Sequence, residues 1–219
     1  MQALTSLIAK PLGQLLIFLY GFIGNYGVTI IVFTIVIKFI MIPLTVHQLK
    51  SSKKMQEIQP KIQEIQKKYA NNKEMMNQKT MELYKNAEIN PLGGCLPLLI
   101  QMPIILGLFA LLRTPQDYIT DPGFLQVLHD SFLWVTDLSQ PDKWILPILA
   151  GVTTYFSFSM TGSGMESNPS MKTMKYIFPV MILWMARSMP AGLSLYWFVS
   201  TLFQIGQQFF MNKAGKKEA

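Results

Sequence analysis

A chain whose one cysteine is Cys95 has no internal disulfide and no cysteine-based metal cluster. Histidine is nearly as scarce. His47 and His129 lie far apart and neither sits in a ligand-spaced pair, so no metal site is expected. There is no Gly-rich phosphate loop, no G-x-S-x-G and no H-E-x-x-H, and no residue set looks catalytic. A non-enzyme without cofactor or metal is expected. Charge is thin as well: 14% of residues are charged against 50% hydrophobic, and the mean hydropathy is +0.29. That balance belongs to a polytopic membrane protein rather than to a soluble core.

What is present begins with Val28–Leu44, VTIIVFTIVIKFIMIPL. Extended to Asn25 and His47, it reaches the roughly 20 mostly apolar residues that a bilayer-spanning helix needs. Lys38 lies inside it. A central Lys costs about 2.5–3.5 kcal/mol on insertion scales, while each Leu, Ile, Phe or Val returns about 0.3–0.6, so this run carries one such charge and would hardly carry two. Two readings stay open for Lys38. Its long stem can snorkel to the nearer interface, or it can face a wet, positively charged cavity.

The segments around that span divide the chain. Residues 1–23 hold Lys10 and the run Leu12–Phe22, broken by Gly13, Gln14 and Gly21. A secretory signal looks similar, but without a clear A-x-A site. The run is too short for a span and reads as a helix at the outer membrane interface. Residues 24–47 form the first span. Residues 48–90 turn polar, with nine Lys and five Glu. Met55, Ile58, Ile62, Ile65 and Tyr69 form a coiled-coil seam with Pro60 inside it, where a kink or break is expected. After a turn at Asn71-Asn72 comes a weaker seam at Met76, Thr80, Leu83 and Ala87, giving an antiparallel helical hairpin. Residues 91–211 hold four further spans: Leu92–Leu112, Ile145–Met160, one centred on Tyr176–Ala186 with Pro179 as a kink, and Leu193–Met211. The expected fold class is thus an all-α polytopic membrane protein, with five transmembrane helices, a cytoplasmic hairpin and a short basic tail at 212–219.

Positive charge orients this plan. A cytoplasmic hairpin puts its nine Lys inside with Lys172, Lys175, Lys213, Lys216 and Lys217, leaving Lys10, Arg113, Lys143 and Arg187 opposite. The positive-inside rule then sets the N-terminus outside and the C-terminus in the cytoplasm. Trp134 and Trp144 suit the interface between these zones.

Three long stretches carry a family resemblance: GNYGVTIIVFTIVIKFIMIPL, LYKNAEINPLGGCLPLLIQMPIILGLF and PAGLSLYWFVSTLFQIGQQ. In order, from about Gly24 to Met211, they resemble the YidC-type membrane protein insertases in the short form without a large extracytoplasmic domain. The resemblance implies a hydrophilic groove among the core spans, open to cytoplasm and lipid and closed to the outside. Its cation matches Lys38, where the family usually has Arg, and its second-span glutamine matches Gln101. Trp197 is a further match. Thr34 shares a helix face with Lys38, and Trp197, Ser200 and Gln204 share one on the last span, so these six residues can line one polar groove. For Thr34, Ser200 and Gln204, hydrogen bonding between packed spans is the competing reading.

The resemblance implies an insertase and chaperone in the bacterial cell membrane. Nascent membrane proteins and the lipid bilayer are the expected partners, with the ribosome, the signal-recognition receptor and the Sec translocon, and no specific nucleic acid. The short tail bears against tail-mediated ribosome docking. The Met side chains at 160, 165, 171, 174, 181, 185 and 189 offer adaptable contacts to varied helices, or plain lipid and core contacts. A small anion channel or transporter using Lys38 is the alternative, although no internal repeat is visible. A structural assembly partner without transport is a third reading.

Overall fold

A computed structural model describes residues 2–88, 96–119, 121–161 and 169–215. Cys95, the Asn90-Pro91 stop, most of the loop after the third span and the last four residues lie outside the described residues, as does the side chain of Gln101. The described residues are helical apart from short connections: α1 (Gln2–Ile23), α2 (Tyr26–Ile40), α3 (Ile42–Lys68), α4 (Lys73–Asn86), α5 (Leu96–Arg113), α6 (Pro122–Val127), α7 (Ile145–Thr161), α8 (Pro169–Ala186) and α9 (Ala191–Gly215). Helix α9 is the hub. It packs on α2 and α7 and touches α5 over a shorter stretch, while α8 backs α7 and α1 joins α2 to α5.

Several boundaries differ from the sequence expectation. The run Leu12–Phe22 is too short for a span, but it lies inside a longer helix: α1 is unbroken from Gln2 to Ile23, and Ser6–Ile23 is the one described stretch that passes as a span by length and composition. It packs along α5, where a Cβ on Gly107 would meet Ile8 at 2.8 Å, so small residues set the approach of the two backbones. Gly24, at φ +67°, lets the chain reverse into α2, and the Asn25 side chain accepts the Val28 N–H at 3.0 Å to cap it.

The apolar run at Val28–Leu44 is not one helix. It breaks at Met41, because Pro43 has no N–H to continue the ladder and its ring crowds the carbonyl four residues back. Helix α3 then restarts at Ile42, so the expected boundary at His47 falls inside it. Pro60 does not break α3 either. It sits on the exposed face, where water can take the carbonyl it frees. Met55, Ile58 and Ile62 are buried against Leu83, Tyr84 and Ala87, a contact confined to one part of the two seams.

Burial is lopsided along the bundle. In α2, Tyr26, Gly27, Thr29, Ile30, Phe33 and Thr34 are buried, whereas nothing from Ile35 to Ile40 is. Helix α9 repeats this: residues 191–196 are all buried, and residues 202–207 are not. The main core cluster gathers at the end where α2 and α9 begin. Residues 114–144 fold over that end as a cap. The Ala191 and Gly192 N–H groups donate to Gln140 O at 2.8 Å and Leu138 O at 2.9 Å, so the first donors of α9 find partners in the cap. Phe132 fills the space over Gly27 so closely that a Cβ there would overlap its ring.

Two carboxylates pin this cap. Asp142 accepts from the N–H groups of Trp144 at 3.1 Å and Leu146 at 2.9 Å, and from Trp134 Nε1 at 3.0 Å. Asp137 accepts from Ser139 Oγ at 2.6 Å and from the Ser139 N–H at 2.8 Å, and lies 3.2 Å from His129 Nδ1. Burial pushes both carboxyls up, but these hydrogen bonds together outweigh it and hold both below the usual carboxylate range. A carboxyl depressed by folding stabilises the fold above its ordinary pKa, and that stabilisation is lost as pH falls through the depressed value. The cap should therefore stay closed at pH 5 and loosen below about pH 4. Fluorescence of Trp134 during acidification reads this directly, and Asp142→Asn should remove that acid-dependent change. An unchanged acid profile in that variant would rule out the pinning role.

Candidate functional site

The candidate groove residues are spread along α2 and α9, with Lys38 and Gln204 in the less buried halves of those helices. Lys38 is in the last turn of α2 and half-buried. The Phe39 and Phe203 rings meet edge to face at 5.6 Å, while nearer the cap Gly192 lies against Ile30. These contacts make α2 and α9 run side by side in the same direction. Lys38 thus lies next to the residue that meets α9 at Phe203. Trp197 Nε1 donates to Thr154 Oγ1 at 3.1 Å, joining α9 to α7 closer to the cap.

The other candidates fall into different settings. Ser200 is buried, and Gln204 and Trp197 are half-buried. Thr34 is fully buried, with its hydroxyl donating to Ile30 O at 2.6 Å, so it is satisfied by its own helix. Thr201 does the same to Trp197 O, and Thr153 and Thr154 to carbonyls one turn back in α7. This back-bonding lets apolar helices hold hydroxyls inside without a cross-helix partner.

Sequence reasoning passed over the polar stripe on α7: Thr153, Thr154 and Ser157 are buried, and Ser159 Oγ is buried with no hydrogen-bond partner among the described residues. The same is true of Gln207 Nε2 on α9. The helical spacing of 153, 154 and 157 was the available signal.

The electrostatics are one-sided. Of twelve acidic residues, five lie between 57 and 88 and five between 117 and 142, with Glu166 and Glu218 besides. Helices α1, α2, α5, α7, α8 and α9 contain none over their described lengths. No carboxylate pairs with Lys38 among the described residues. The arrangement is a half-buried cation without a counter-ion among the described residues, in the less buried part of α2. Such a site attracts anions and polar backbone, and it offers no nucleophile–base pair.

The model of a family described as 60Kd inner membrane protein matches residues 18–218. The membrane protein insertase YidC of Fusobacterium nucleatum subsp. nucleatum is 43% identical over 215 residues, covering 96% of this chain and 99% of its own. This chain belongs to the YidC-type membrane protein insertase family. The YidC of Caldanaerobacter subterraneus subsp. tengcongensis is 42% identical, with 95% of this chain and 96% of the relative covered. The YidC of Citrifermentans bemidjiense is 40% identical across 94% of this chain but only 37% of the longer relative. A crystal structure of an active YidC insertase with its first transmembrane domain resolved superposes with a TM-score of 0.70 at 28% identity, covering 91% of this chain and 45% of that one. This YidC-family chain therefore has the length of the shorter relatives and spans less than half of the longer ones.

Proposed function

We propose that this chain is a membrane protein insertase and chaperone. In this reading it takes nascent membrane proteins into a hydrophilic, positively charged groove and releases their helices sideways into lipid. The groove is lined by Lys38, Gln101, Trp197, Ser200 and Gln204, with Thr34 behind it. The observation that carries the reading is the pairing of a buried, capped end with a less buried half holding Lys38, which has no carboxylate partner among the described residues. A hydrophilic segment entering the open half crosses a thinner low-dielectric layer, and the cation draws in its acidic residues. Burial of the client's apolar helix in hydrocarbon supplies the driving force, so no nucleotide is required.

The same reading orients the chain with five spans, the N-terminal helix at the outer interface, and the α3–α4 hairpin and C-terminus in the cytoplasm. The charge asymmetry supports this. The ribosome, the signal-recognition receptor and the Sec translocon are the partners that the family resemblance implies. The capped end argues against the rival anion channel, since conduction needs an opening at both faces.

Reconstitution tests function and orientation together. Liposomes holding only this protein should insert a short single-span client and show no ion flux without it. A cysteine at Asn72 should react with impermeant reagents from the cytoplasmic side, and one at Asp130 from the outside. Flux without insertion would establish the channel instead, and reversed labelling would overturn the orientation.

A further inference from the structure

At the capped rim, Arg187 follows the end of α8 and Trp144 precedes the start of α7. The guanidinium carbon lies 4.5 Å from the centre of the Trp144 ring. Stacking engages the flat face of the guanidinium and leaves its edge of N–H donors free. Arg187 is exposed, Trp144 is 60% exposed, and no carboxylate pairs with Arg187 among the described residues. The nearby Asp142 is engaged by the N–H groups of Trp144 and Leu146 and by the Trp134 indole. Lys143 is exposed beside it, so Lys143 and Arg187 outnumber Asp142 at this rim.

An apolar track leads from this cation along two packed helices. Ile145, Ile148 and Val152 on α7 and Val180 and Trp184 on α8 are all exposed, Trp184 by 74%. The helices meet at Gly151, where a Cβ would lie 3.1 Å from Leu183. A stacked arginine fork above exposed aliphatic side chains matches an amphiphile with a phosphate head and acyl chains.

We propose that Arg187, stacked on Trp144, binds the headgroup phosphate of an anionic phospholipid whose acyl chains lie along α7 and α8. Net negative headgroups are favoured because they add no cation near Lys143 and Arg187. This site is separate from the Lys38 groove and lies at the opposite end of the bundle. It rests on the membrane placement of these helices and not on insertase activity.

Quenching of Trp144 by brominated lipids tests it. The full chain, with Trp134, Trp184 and Trp197 changed to Phe, is reconstituted with phospholipids brominated on the acyl chain, bearing phosphatidylglycerol or phosphatidylcholine heads. Phosphatidylglycerol should quench Trp144 with about fivefold preference, the effect of one basic residue near a charged lipid surface. Arg187→Gln should bring the preference to unity, Arg187→Lys should keep part of it, and Arg113→Gln should leave it intact. Inorganic phosphate should not compete. Equal quenching by both lipids in the parent chain overturns the site alone. Competition by phosphate makes it a free-anion site and overturns the lipid assignment. Absence of quenching by either lipid overturns the membrane placement of this rim as well.

Discussion

Lys38→Glu is expected to abolish insertion of clients with acidic N-terminal segments, and Lys38→Ala to reduce it severely. Two unit charges about 6 Å apart at an effective dielectric near 20 attract by about 3 kcal/mol, roughly a hundredfold in occupancy. Neutralising Lys38 forfeits that attraction, and reversing it substitutes a repulsion of similar size. Within α2 no other charge can take over, since Lys38 is the one charged residue between Tyr26 and Ile40. Lys38→Arg should retain activity, since charge persists and the fork adds donors. None of the three should unfold the chain, because Lys38 makes no ion pair among the described residues that its loss would orphan. Insertion assays at matched expression, with acidic and neutral clients side by side, decide the matter. If Lys38→Glu inserts acidic clients as well as the parent, Lys38 is a snorkelling residue and its charge plays no part in the proposed groove.

Gly27→Ala is the second large effect, and it acts at the other end. A methyl group there would overlap the Phe132 ring. Neither side yields cheaply. Gly27 is in the first turn of α2 among buried residues, and the Phe132 backbone is tied to Val135 by two hydrogen bonds of 2.8 and 2.9 Å. Overpacking of this kind costs about 1–3 kcal/mol. A fall of about 5 °C or more in melting temperature is expected for a chain this size, along with faster protease cleavage in the cap. Phe132→Ala should be milder by itself and should restore most of the loss when combined with Gly27→Ala. That recovery identifies the clash as the cause. A Gly27→Ala chain that melts with the parent would show that the cap shifts freely.

The apolar helices and helices α3 and α4 were legible because hydrophobic periodicity and turn residues are local signals. Ile145–Thr161 and the turn at Asn71-Asn72 are examples. The cap was not legible. Its hold on α9 runs through the carbonyls of Leu138 and Gln140, and backbone acceptors carry no residue identity. The break at Met41 was missed because hydropathy continues through it while Pro43 interrupts only the hydrogen-bond ladder. Among the candidate groove residues, Lys38 announced itself as a charge in an apolar run. Thr34 is the opposite case: it is fully buried and its hydroxyl turns to Ile30 O, a rotamer choice that sequence does not record. Ser159 and Gln207 went unnoticed because a single Ser or Gln in a span usually finds a partner, and only three-dimensional packing shows that these atoms have none among the described residues.

The joint at Met41 has a mechanical consequence. Its N–H is bonded to Ile37 O at 3.1 Å, and its carbonyl receives both the Thr45 N–H and the Thr45 hydroxyl at 2.9 Å. The elbow is thus braced on both sides. Helix α3 extends 27 residues beyond it, a rod about 40 Å long. Swinging that rod through 10° moves its tip about 7 Å while displacing Lys38, one turn before the pivot, by under about 1 Å. The far end of the hairpin and the half-buried cation thus share one lever, with the long arm in water and the short arm at the charge.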